Sequence, residues 1–127
     1  MDPRQQARAV AIGRLVFGAA FMLTPGLTGR LWIGPAAHQG PVKVLTAAIG
    51  ARDIAMGLGV LMAMGRGAPV RGWLEGIAMT DALDFTVALL ARDRLPRGQR
   101  RLVLALAGAS AIQAGSAAPG VDSGGGS

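Results

Sequence analysis

Five ionisable residues stand deep inside apolar stretches of sequence, and Glu75 lies about one turn into the third. Arg14 lies in the first such stretch, Gly50-Ala51-Arg52-Asp53 near the middle of the second, and Asp81-Ala82-Leu83-Asp84 near the middle of the third. A charge at the centre of a bilayer costs at least ~2.5–3.5 kcal/mol on insertion scales. These groups are therefore expected to pair with one another. Asp81 and Asp84 are three residues apart and share one helix face. Arg52, at similar depth, is the natural bridge to either. Arg14 lies within reach of Glu75 or Asp81. Asp53 points roughly 100° away from Arg52 around the helix. It shares its face with Gly50 and Gly57, where another helix can come close.

Three chemistries follow from such a set. A protonated Asp81 or Asp84 can serve as a general acid, with Arg52 placing or tuning it. A chain of Arg and Asp can relay protons or small solutes. A closed Arg–Asp network can simply fix helix register, as buried polar groups do in some bundles. Asp-x-x-Asp also occurs where Mg²⁺ and a diphosphate bind, which takes several oxygen ligands around a hard cation. Here the pair has no second acidic motif, and Arg52 competes for its oxygens. The chain has no Cys and a single His, His38. Thiolate chemistry, disulfides and His-rich metal sites are excluded. No metal or cofactor is expected. Gly57-x-Gly59 follows no strand and reads as packing, not as a phosphate loop.

Four elements must position these residues. The apolar stretches run from about Ala9 to Leu23, Val42 to Met64, Val70 to Ala91 and Leu102 to Ala118. Thr24-Pro25-Gly26, Pro41, Gly65-Arg66-Gly67, Pro69, Arg92-Asp93-Arg94 and Arg100-Arg101 bound them. A helix needs about 20 residues to cross the hydrocarbon core. The second and third stretches reach that, the fourth is at the short end, and the first reaches it only with help from its flanks. None shows strand alternation. The expected fold is all-α: a four-helix transmembrane bundle of up-down topology over residues 1–118, with a flexible Gly/Ser tail at 119–127. A soluble bundle would need polar stripes, which segments such as Leu102 to Ala107 lack. A cleaved signal peptide is disfavoured because Arg14 interrupts its apolar region.

Composition agrees. Apolar residues make up 51%, charged residues 16% and aromatics 4%, with mean hydropathy +0.43. An average soluble domain carries about 25% charge. The net charge of +6 comes from basic residues between the apolar stretches, where loops meet anionic lipid. This favours the lipid bilayer over nucleic acid as the partner. Trp32, Trp73, Arg100 and Arg101 are expected at the membrane interface. Arg30, Lys43, Arg92, Arg94, Arg97, Arg100 and Arg101 outnumber the basic residues of the opposite side, so both ends are expected outside the cytoplasm.

Taken in order, Gly13-Arg14 with Pro25, Gly50-x-Arg52-Asp53-x-x-x-Gly57 and Asp81-x-x-Asp84 resemble a family of small four-span bacterial and fungal membrane proteins of unknown function. The resemblance covers roughly residues 10–90. It implies a four-helix membrane bundle with Arg14, Arg52, Asp53, Asp81 and Asp84 as its polar set, and it implies no activity. The expected role is a multi-pass protein of the cell membrane. It is read as a structural or accessory component, as a homo-oligomer or within a membrane complex. The alternatives are an intramembrane isomerase or cyclase for an apolar small molecule, with Asp81, Asp84 and Arg52 as candidate catalytic residues, and a proton or small-solute pathway.

Overall fold

Asp2 and Pro3 start the first helix six residues before the apolar run begins. The Asp2 side chain accepts a hydrogen bond from the Arg4 amide at 3.3 Å, and Pro3 needs no donor partner at the first helical position. Helix α1 thus spans Pro3–Leu23, 21 residues, or about 31 Å at ~1.5 Å per residue. The computed structural model describes residues 2–123 of the chain.

The remaining long helices are α3 (Gly40–Gly65), α4 (Arg71–Leu90) and α5 (Arg97–Ala117). Between α1 and α3 the chain forms a further nine-residue helix, α2 (Pro25–Ile33). Thr24-Pro25 does stop α1, but the same Pro25 then opens α2 at a first-turn position. Gly34, at φ +86°, ends α2 in the left-handed region that glycine adopts without strain. A single 3₁₀ turn, Pro35–His38, leads into α3.

Every regular element among the described residues is helical, as expected. Of the four expected spans, three have the length and composition to cross. Among the described residues, the helices long and apolar enough to cross a membrane are α1, α3 and α5 with its continuation to Gly120. α4 has the length, at 20 residues, but it carries Arg71, Glu75, Asp81 and Asp84.

α1 packs antiparallel on α3, and α4 antiparallel on α5. Gly18 meets Gly50 and Ile54, while Gly57 meets Ala11 seven residues towards the start of α1. A Cβ on Gly50 would stand 2.5 Å from the Gly18 carbonyl oxygen. The absence of side chains therefore sets how closely the two backbones approach. Gly108 faces Phe85, and Gly115 faces Ala78. At the end carrying Pro3 and Gly120, the two pairs close on a core that includes Val10, Val60, Leu74, Ile77 and Ala114.

That core extends into the segment expected to be a solvated tail. Ala118–Gly120 forms a 3₁₀ turn, and Val121 is fully buried. Asp122 then accepts the Val70 and Arg71 amides at 2.8 and 3.0 Å. It caps α4, which has no cap from its own chain neighbours. The final residues of the expected tail, 124–127, lie outside the described residues.

Alongside this apolar core, large apolar side chains are exposed on every long helix and three charged side chains are buried. Val16, Leu45, Leu83 and Ile112, one on each long helix, expose between 61% and 74% of their surface. Arg14, Asp53 and Asp81 expose between 2% and 8%.

Candidate functional site: an Arg–Asp network at the end of an apolar cavity

The α1–α3 approach carries Arg14 directly over Asp53. Arg14 Nη1 donates to Asp53 Oδ1 at 2.8 Å. Its Nη2 donates to Asp81 Oδ2 and, at 3.1 Å, to Ser110 Oγ. Ser110 Oγ in turn donates to Asp81 Oδ2 at 2.6 Å. One guanidinium on α1 is thereby tied to α3, α4 and α5. The planar fork of arginine suits this role, since it offers several donors in fixed directions to carboxylates on different helices.

Arg52 belongs to an outer, half-buried layer. Its Nη2 donates to Asp84 Oδ2 at 2.9 Å and lies 3.5 Å from Asp53 Oδ1. The Arg52 and Asp84 side chains are 36% and 42% exposed, whereas Asp53 and Asp81 are closed off. Arg52 Nε is buried and has no acceptor.

All five residues expected to form the polar set come together, and two of the expected pairs form, Arg52 with Asp84 and Arg14 with Asp81. Arg52 takes Asp84 and Asp53, not Asp81. Asp81 goes to Arg14. Glu75 does not reach Arg14; it accepts from Arg71 Nε at 2.6 Å, one turn away on the outside of α4. The cause is the register of α1 on α3. The face bearing Gly50, Asp53 and Gly57 receives α1, so Asp53 points at Arg14 while Arg52 is left to reach sideways. Ser110 was not anticipated. Its only signal is a hydroxyl in the middle of an Ala/Gly/Leu helix, which is also an ordinary packing residue.

Beyond the network a cavity of about 440 Å³ opens between the two helix pairs. Its walls include Phe17, Phe21, Trp32, Val87, Val103 and Leu106, and Arg52, Asp84 and the inner network form its polar end. Trp32 is therefore part of this wall, where interface anchoring was expected. Its ring stands edge-on to Phe17 and Phe21, with centroids 5.7 and 5.9 Å away. Trp73 opens α4 as expected, 44% exposed and lying against Gly59. Arg100 and Arg101 lie in the first turn of α5.

Among the described residues no three His, Cys, Asp or Glu side chains converge as metal ligands. Asp81 and Asp84 each face an arginine, so their oxygens serve guanidinium groups. The chain matches no protein-family model, no curated protein and no solved structure.

Proposed function

We propose that the chain is a four-span membrane protein that holds an apolar small molecule in the cavity between its helix pairs. On this reading the Arg14-centred network locks the bundle and forms the polar end of the binding site. The observation that carries the proposal is the cavity itself: its volume lies within the ~300–1,000 Å³ of small-molecule sites, and such sites combine apolar walls with a few convergent polar groups. A purely structural network would call for a packed interior around it. The large apolar side chains exposed on all four long helices support the bilayer as solvent. The three membrane-capable helices do the same, with α4 as a fourth span whose Asp81 and Asp84 turn towards the network.

The proposal is tested by fluorescence in lipid nanodiscs. Trp73→Phe leaves Trp32 as the single reporter. Titration with 10-bromodecanol, a heavy-atom quencher, should quench Trp32 saturably. Gly13 lines the cavity, and a Cβ there would meet nothing within 4 Å. Gly13→Phe should therefore fill the chamber while keeping the fold, and should abolish the saturable component. Linear, partition-only quenching in both proteins would refute the proposal.

A second reading, an isomerase or cyclase acting on the bound molecule, is favoured by one observation. Asp84 is the carboxyl that opens on the cavity, which is where a general acid must stand.

A further inference from the structure

The charges lining the cavity do not balance. Its lining contains three carboxyl side chains, Asp53, Asp81 and Asp84, against two guanidinium groups, Arg14 and Arg52. Among the described residues no other ionisable side chain lines it. With all five ionised, one negative charge is in excess beside apolar walls, where an uncompensated charge is costly. A ligand bearing one positive charge cancels that excess. An anionic ligand doubles it, and meets only Arg52, which already serves Asp84 and Asp53.

We propose that the cavity selects a lipophilic monocation: an amine or quaternary ammonium head at Asp84, with an apolar body lying along Phe17, Phe21 and Trp32. This deepens the binding reading above and rests on it. Asp84 is the accessible acid of the three, since Asp53 and Asp81 are enclosed by Arg14 and Ser110. Arg52 can yield Asp84 to an incoming cation without being stranded, because Asp53 Oδ1 already lies 3.5 Å from its Nη2. The geometry along α1 fits a head and a body. Phe17 and Phe21 rise about 4.5 and 10.5 Å above Arg14 along the helix axis. The rings thus line the cavity above the charged layer. Phe17 and Phe21 stack on each other with centroids 4.5 Å apart, so the apolar body lies along the stacked pair and not between the rings.

The test compares ligands with one tail and three heads: decyltrimethylammonium, decanol and decyl sulfate. Each competes with 10-bromodecanol for the Trp32 site of the Trp73→Phe protein in phosphatidylcholine nanodiscs. Gly13→Phe supplies the partition-only baseline. The cation should displace the quencher at a concentration about tenfold lower than decanol, as expected for a charge-assisted contact, and decyl sulfate should be weakest. Asp84→Asn should erase the cation's advantage, and Asp84→Glu should retain it. Both variants are checked for unchanged helical circular dichroism. Equal displacement by all three heads overturns the inference and leaves the binding reading standing. So does preference for the sulfate, or a cation preference untouched in Asp84→Asn. Absence of saturable quenching by 10-bromodecanol overturns both.

Discussion

Replacing Arg14 with leucine would leave Asp53 and Asp81 buried without the cation that both share. Breaking a buried pair by removing one partner costs about 3–5 kcal/mol, and here a single removal breaks two. Arg14→Leu should therefore lower the thermal unfolding midpoint in detergent more than Arg52→Leu, because Arg52 is half exposed and one of its two partners, Asp84, is half exposed as well. Arg14→Lys should rescue only part of the loss, since a point charge cannot hold two carboxylates in fixed directions. Equal midpoints for Arg14→Leu and wild type would remove the network from the account of stability. These residues were legible in the sequence because charges inside apolar runs are conspicuous and must pair. Their pairing was legible in part: Arg52–Asp84 and Arg14–Asp81 were among the expected pairs, and Arg14–Asp53 was not. It depends on which helix settles on the Gly50–Asp53–Gly57 face, and nothing local to Arg52 or Asp81 specifies that.

At the scale of elements, two contacts decide the arrangement. The first is the glycine contact between α1 and α3. Gly50→Leu would drive a side chain into the Gly18 carbonyl and the α1 backbone. It should destabilise by at least the ~1–3 kcal/mol of an overpacked core, seen as a lower unfolding midpoint. The second is the cap that Asp122 places on α4. The two amides it accepts hold its carboxyl below the ordinary aspartate range. A depressed folded pKa means that this stabilisation is complete above the ordinary range near ~3.9 and is lost as pH falls through the lower folded value. Asp122→Ala should lower the unfolding midpoint at neutral pH, and the difference from wild type should shrink under strongly acidic conditions. A pH-independent difference would contradict the cap.

The long helices were readable from their apolar runs and bounding Pro and Gly residues. α2 was not, because Thr24-Pro25-Gly26 reads as a stop, while proline equally well begins a helix. The ordered end of the chain was hidden for a similar reason. Pro119-Gly120 signals a turn, and no local pattern reveals that Val121 finds a core and Asp122 a helix end.

For the whole molecule, the decisive feature is that Arg14, Asp53 and Asp81 are buried while many large aliphatic side chains of the same helices are exposed. In water this arrangement is unfavourable on both counts. In a bilayer it is the arrangement that polar groups require. The account therefore needs α4 to cross, although its four charged residues set it apart from the other three long helices. Only then do Asp81 and Asp84 meet the arginines of α1 and α3 in the membrane interior, and only then does the chamber have all its walls. The most direct measurement is side-specific labelling in oriented vesicles. The chain contains no Cys, so the single substitutions Ala68→Cys, exposed between α3 and α4, and Gly98→Cys, at the start of α5, report unambiguously. Their reaction with a membrane-impermeant maleimide from opposite faces is the predicted result. Reaction of both from the same face would mean that α4 does not cross, and would contradict the account.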